Sequence, residues 1–167
     1  MAKAFIGLGS NLGSSQNILK DALYDLNLIN EIKVLNVSSF YKTKPWGFLD
    51  QPDFVNAVAQ LETSKKPLDL LDCLLDLEKK YKRERLFKNG PRTLDLDLLS
   101  YDELVMQSTR LNLPHPLISE RAFVLVPWAE IAPDFILPKV NLSILNLKNA
   151  LPPSAILEVV LLNNGKS

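Results

Sequence analysis

One cysteine, one histidine and six glycines in 167 residues leave little room for several common chemistries. Cys73 has no intrachain disulfide partner, and its place in a helical pattern between Leu71 and Leu74 reads as a small buried residue rather than a nucleophile or redox group. His115 finds no second His or Cys to build a zinc centre. Charge of one sign is lacking too: 19 Lys and Arg balance 19 Asp and Glu, so the chain has no global attraction to nucleic acid or membrane, and any basic site is local. No run approaches the roughly 18 apolar residues of a membrane span. The start, Met1-Ala2-Lys3-Ala4-Phe5-Ile6, enters a strand-like run without signal-peptide shape. A soluble cytoplasmic protein is expected. Without repeats, low-complexity tracts or a dividing linker, residues 1–167 are expected to form a single domain.

What is present is a globular composition, 47% hydrophobic and 23% charged. Residues 3–9 read as a strand, followed by a helix carrying Ile18, Leu19, Ala22, Leu23 and Leu26, capped by Ser14 or Ser15. Residues 33–42 and 54–62 read as strands joined by a loop with Pro45, Gly47 and Pro52. A second helix begins near Pro67, with Ser64 as a candidate cap, and runs through Glu78 into Arg85. After Gly90-Pro91 come a strand through Asp95 and Asp97, a hairpin through Tyr101-Asp102-Glu103 to 104–106, a helix at 120–131, helical residues 140–150 and a last strand at 155–162. Interleaved strands and helices with short connections favour an α+β layered sandwich with a mainly antiparallel or mixed sheet over a doubly wound parallel sheet.

The most informative feature is Pro91-Arg92-Thr93-Leu94-Asp95-Leu96-Asp97-Leu98-Leu99. In a strand Leu94, Leu96 and Leu98 line one face while Asp95 and Asp97 project together from the other, about 6 to 7 Å apart. Two carboxylates so placed suit a divalent cation such as Mg²⁺ bound together with substrate phosphates, although a bare Asp-x-Asp is more often a solvated strand face. Its surroundings favour the metal. Lys79, Lys80, Lys82, Arg83, Arg85, Lys88 and Arg92 form a basic segment leading into the pair, a combination suited to a polyphosphate. His115 sits between Pro114 and Pro116, flanked by Arg110 and Arg121, where it can donate to a phosphate.

On strand 54–62, Phe54 and Asn56 share a face opposite Val55, Ala57, Ala59 and Leu61. An amide beside an aromatic ring can read the edge of a flat heterocycle, and Trp46, Phe54 and Phe123 offer stacking surfaces. Gly7-Leu8-Gly9-Ser10-Asn11-Leu12-Gly13 has the spacing GxGxxxG, which does not match a dinucleotide-binding loop, and no Walker sequence is present.

With these residues in view the chain resembles the 6-hydroxymethyl-7,8-dihydropterin pyrophosphokinase family over essentially its whole length. The resemblance rests on Lys88 to Leu99, supported in order by Gly9-Ser10-Asn11-Leu12, Ser39 to Thr43, Asp50 to Asn56, and Pro114-His115-Pro116 with Glu120-Arg121-Ala122-Phe123. It implies a ferredoxin-like α+β core and transfer of pyrophosphate from ATP to the hydroxymethyl group of a reduced pterin, releasing AMP. Two Mg²⁺ ions would be held by Asp95 and Asp97. Arg83, Arg85, Arg92, His115 and Arg121 would contact the triphosphate, with Glu78, Leu98 and Arg110 in the nucleotide site; Arg83 and Arg92 join the two aspartates as catalytic residues. Thr43, Lys44, Trp46, Phe54, Asn56 and Phe123 would hold the pterin. Lys44, Asn89 and Asn112 depart from frequent family residues, so Phe87 or Trp46 is expected to replace the ring missing at position 89.

Loops 43–53 and 82–91 are expected to close over ATP and exclude water. The partners are the two small molecules, with no nucleic acid, no membrane and a monomeric chain. A Mg²⁺-dependent phosphohydrolase and an RNA-binding sheet are the rival readings; zero net charge and the lack of an aromatic RNA-binding sheet motif weigh against the second.

Overall fold

The computed structural model describes residues 1–11, 14–44, 52–86 and 94–162, the last turn of the second helix (83–86) by its backbone alone. Strand β1 (Ala2–Ser10) leads into helix α1 (Ser15–Leu28), which is followed by β2 (Ile32–Val37), β3 (Tyr41–Thr43) and β4 (Phe54–Thr63). Helix α2 (Pro67–Leu86) crosses back to β5 (Asp95–Tyr101). In the sheet β1 lies between β4 and β5, and both β2 and β3 pair with β4, with every pairing antiparallel. Counting β2 and β3 as one interrupted strand, this is the βαββαβ order of a ferredoxin-like core. The expected α+β class and the antiparallel sheet are both found.

Alternation along the strands sorts side chains into two layers. Ala4, Ile6, Leu8, Ala57, Ala59, Leu61, Leu96 and Leu98 face α1 and α2, where Leu19, Leu26, Leu70 and Leu74 complete a fully buried apolar layer. On the opposite face Phe5, Val58 and Leu99 pack under helix α3 (Ala122–Ile131), whose Val124, Leu125 and Trp128 are buried there. Phe5 and Trp128 approach to 5.1 Å between ring centroids. Leu94, Leu96 and Leu98 thus share the face assigned to them from the pattern.

Four expectations need correction. The strand at 33–42 is two strands, because Ser38 interrupts the pleat: its N–H donates to the Val58 carbonyl (2.9 Å) and its hydroxyl accepts the Val58 N–H (3.0 Å), replacing a ladder carbonyl. The hairpin from β5 does not form. Asp102, at φ 49°, donates its N–H to Lys3 O and accepts the Lys3 N–H, so the turn ties back to β1, while β6 (Met106–Gln107) pairs with β7 (Asn112–Leu113). A 3-10 turn (Ile118–Glu120) precedes α3, and β8 (Ile136–Leu137) pairs with β9 (Leu142–Ser143) ahead of α4 (Ile144–Asn149).

The last strand expected at 155–162 is instead helix α5 (Pro153–Leu157), which Pro153 starts from its first turn, and a two-residue strand β10 (Val160–Leu161) on the edge of β3. The expected caps shift as well: Ser14 is the N-cap of α1 but makes no side-chain cap bond, Ser15 is the helix's first residue, and Ser64 stands ahead of α2 with its N–H on Glu31 O. Cys73 is half-buried, and burial pushes its thiol pKa up, away from nucleophilic character. Among the described residues no helix is long and apolar enough to cross a membrane.

Candidate active site

Helix α3 covers only part of its sheet face. Beyond Phe5 the central strand continues on that face as Gly7 and Gly9, which contribute no side chain and leave a bare floor. Gly7 pairs with Asp97 and Val58, and Gly9 pairs with Asp95 and Asn56. A Cβ on Gly9 would stand 3.0 Å from the Asn56 side-chain oxygen, too close for an unshifted neighbour, whereas one on Gly7 would meet Leu99 at an ordinary 3.8 Å. Over this floor lies a cavity of about 640 Å³ with two different walls.

The charged wall comes from β5, α2 and the loop after β7. Asp95 and Asp97 project from β5 into the cavity, together with Glu78 of α2. The Glu78 carboxylate accepts the N–H of Leu96 at 2.6 Å, gripping the strand between the two aspartates. Its pKa is raised chiefly by burial, with the Leu96 bond opposing and Asp95 adding to the shift. Burial also raises Asp97, against the pull of His115 and Arg121.

His115 is brought there by its N–H, which donates to Leu99 O at 3.0 Å, two residues beyond Asp97. Its Nδ1 faces the Leu117 N–H at 3.4 Å, so the neutral ring carries its proton on Nε2. Burial lowers its pKa, and Asp97 opposes that shift. Arg121, at the N-cap of α3, completes the wall with its guanidinium 5.7 Å from the Phe123 ring centre.

The neutral wall comes from β3, β4 and the start of α3. Phe54 pairs with Thr43 across the strands, and the Asn56 amide donates to the Thr43 hydroxyl at 2.9 Å. That bond fixes the amide, leaving its oxygen as an acceptor and the Thr43 hydroxyl hydrogen as a donor. Phe123, Val124 and Lys44 also line the cavity.

The structure therefore brings together Thr43, Lys44, Phe54, Asn56, Glu78, Asp95, Asp97, His115, Arg121 and Phe123. It does not bring in Leu98, whose side chain is packed in the α1/α2 layer, or Arg110, which forms an ion pair with Asp72 on the exposed face of α2. Trp46, Phe87, Asn89 and Arg92, and the side chains of Arg83 and Arg85, lie outside the described residues, as does most of both loops expected to close. The glycine floor and the Glu78 grip were missed by sequence reasoning. The floor had a signal, since Phe5, Gly7 and Gly9 alternate with Ile6 and Leu8 at strand period; the grip joins residues 18 apart and had none.

Among the described residues no group of three or more His, Cys, Asp or Glu is placed to hold a metal ion. A carboxylate pair without a cage is the donor set Mg²⁺ uses when waters and substrate phosphates supply its remaining ligands. Fold and site together define an α+β enzyme domain of the phosphotransfer class. The chain belongs to the 7,8-dihydro-6-hydroxymethylpterin-pyrophosphokinase (HPPK) family, whose model matches residues 5–133.

It is 47% identical over 138 residues to the 2-amino-4-hydroxy-6-hydroxymethyldihydropteridine pyrophosphokinase of Haemophilus influenzae, covering 83% of this chain and 86% of that one. The enzyme of the same name from Synechocystis is 44% identical over 144 residues, covering 86% and 73%. The fold matches a crystal structure of Plasmodium falciparum HPPK-DHPS with a TM-score of 0.69 at 14% identity, over 89% of this chain and 43% of that longer protein.

Proposed function

We propose that the chain transfers pyrophosphate from ATP to the hydroxymethyl group of 6-hydroxymethyl-7,8-dihydropterin, releasing AMP, as a step of folate biosynthesis. The observation that carries this reading is one cavity whose walls differ in kind across a bare glycine floor: carboxylates, His115 and Arg121 on one side, Thr43, Phe54 and Asn56 on the other. The pterin lies between Phe54 and Phe123 and is read at its edge by the fixed Asn56 amide and Thr43 hydroxyl. The absence of side chains on Gly7 and Gly9 lets its hydroxymethyl group reach across to the phosphates in line with the leaving AMP.

Arg121 and the Nε2–H of His115 donate to phosphoryl oxygens, and the basic residues Arg83, Arg85 and Arg92 contribute further contacts. Arg110 joins the nucleotide on release from Asp72, and Leu98 serves through its backbone. Asp95 and Asp97 hold two Mg²⁺ ions, which when bound neutralise charge on the phosphate chain. Glu78 keeps that pair in register through Leu96. In this reading the enzyme works as a monomer, a single domain over 1–167, in the cytoplasm.

The test is incubation with ATP, Mg²⁺ and the pterin alcohol while AMP is followed. AMP should form only when the pterin is present and should cease with EDTA. Orthophosphate release that ignores the pterin would replace this reading with the phosphohydrolase one.

A further inference from the structure

The two sides of the proposed pterin slot stand on elements that are not neighbours in sequence. Phe123 and Arg121 belong to the N-terminal end of α3, while Thr43 is on β3, held to Phe54 and Asn56 of β4. Helix α3 packs by its apolar face on Phe5, Val58 and Leu99, which belong to β1, β4 and β5, and that layer does not include β3. A polar contact joins α3 to the β3 side. At its C-terminal turn Glu130 accepts the Ser39 N–H at 3.0 and 3.1 Å with its two oxygens, the Ser39 hydroxyl at 2.8 Å and the Tyr41 hydroxyl at 2.7 Å. Ser39 lies in the interruption between β2 and β3, where the backbone has left the regular ladder, and Tyr41 opens β3 two residues before Thr43.

We infer that Glu130, with Tyr41 and Ser39, is a positioning latch that sets the width of the slot between Phe123 and the Thr43–Asn56 edge, and so governs affinity for the flat substrate. None of the three lines the cavity, so the effect passes through the elements they join. Both partners suit the task. Tyr41 is buried, and burial together with its bond to Glu130 holds its hydroxyl above the ordinary phenol range, so it remains a donor at any working pH. Glu130 is an exposed side chain, yet it collects bonds from a backbone amide and two hydroxyls, and hydrogen bonds to a charged acceptor are the stronger kind. Supporting residues of this type hold binding groups within the small tolerance a tight site needs.

This inference rests on the pterin reading, and its test separates the two. Dissociation constants for the pterin alcohol and for a non-hydrolysable ATP analogue are measured on the wild type, Tyr41→Phe, Glu130→Gln and the double variant, with Tm recorded for each. Tyr41→Phe keeps the buried ring and removes only the donor. The latch requires pterin affinity to fall by roughly tenfold in Glu130→Gln, a difference worth about 1.4 kcal/mol, and by less in Tyr41→Phe, with the two changes not additive in the double variant. The nucleotide constant should move less, by up to about threefold, because among its proposed contacts only Arg121 stands at α3, while Asp95, Asp97 and Glu78 stand on β5 and α2.

Unchanged pterin affinity in folded variants would overturn the latch alone. Equal losses for both ligands with a lowered Tm would also overturn it, by reducing Glu130 to a structural support. A wild type that binds the nucleotide analogue but no pterin would remove the functional reading, and the latch with it.

Discussion

The two faces of the sheet are built from the same strands and differ in almost everything else. Toward α1 and α2, β1 presents Ala4, Ile6 and Leu8, and β5 presents Leu96 and Leu98, all nearly or fully buried. Toward α3 the alternate positions run Phe5, Gly7, Gly9 on β1 and Asp95, Asp97 on β5. The first face is closed by close-packed apolar side chains, which stabilise the fold in proportion to the area they remove from water. The second is filled only where Phe5 meets Trp128, and farther along it places the partly desolvated Asp97 carboxylate and the exposed Asp95 against empty backbone. A period of two lets one strand serve both purposes at once, with neighbouring residues answering to different physics.

Asp97 and Leu98 provide the sharpest way to break this comparison. Asp97→Ala, and likewise Asp95→Ala, should lower the rate of AMP formation by roughly a thousandfold while the fold persists, the scale expected when a group that stabilises transferring phosphoryl charge is removed. Full activity in both variants would remove the metal assignment. Next in size, Leu98→Ala should cost about 2–5 kcal/mol in denaturant unfolding, the range for truncating a buried leucine, and the refolded fraction should keep its pterin affinity. If Leu98→Ala instead spared stability and impaired nucleotide binding, the Leu98 side chain would belong to the site and the division of faces would fail.

Gly9→Ala is smaller and more selective. Its new Cβ would press on the Asn56 oxygen at 3.0 Å, so the amide must shift away from the edge it presents with Thr43. Pterin affinity should fall by about tenfold, roughly 1.4 kcal/mol, with unfolding affected by less than about 1 kcal/mol. Gly7→Ala, which meets only an ordinary contact with Leu99, is the matched control and should do less to both. Equal behaviour of the two alanines in a binding titration would show that the floor needs openness alone and not the close approach at Gly9.

What could be read from the sequence follows the same division. Local period was enough to separate Leu94, Leu96 and Leu98 from Asp95 and Asp97, and Phe54 and Asn56 from Val55 and Ala57, because side-chain direction in a strand depends only on register. Residue chemistry singled out His115 as a phosphate donor and Phe123 as a stacking ring, but only the family resemblance assigned them, with Thr43, Glu78 and Arg121, to one site, because periodicity cannot bring them to a strand far away in sequence. The failures were places where a side chain or a distant backbone group displaced a regular pattern. Ser38 took over a ladder bond and split a strand, and Asp102 bonded to Lys3 instead of closing a hairpin. Pro153 started a helix inside a run rich in strand-forming residues. The glycine floor was visible as spacing but was tested only as a phosphate loop, since its meaning depends on which residues β4 and β5 place beside it.

The smallest effect expected has the opposite sign from the others. Burial first, and then Asp95, raise the pKa of Asp97, while His115 and Arg121 pull it back without cancelling the shift. A carboxyl whose folded pKa lies above its unfolded value, about 3.9, favours the folded state most when protonated, and that contribution is lost as pH rises through the folded pKa. At pH 7 the ligand-free chain therefore carries a charge it holds less comfortably than the unfolded chain does. Asp97→Asn, which keeps the shape and removes the charge, should raise the Tm of the ligand-free protein at pH 7 by a few degrees, 1 kcal/mol corresponding to roughly 2–4 °C at this chain length. The gain should shrink as pH falls and vanish below about pH 4, where wild-type Asp97 is protonated in both states. A Tm that is unchanged or lower at pH 7 would mean that His115 and Arg121 compensate the buried charge in full, and that the open face is no less settled than the closed one.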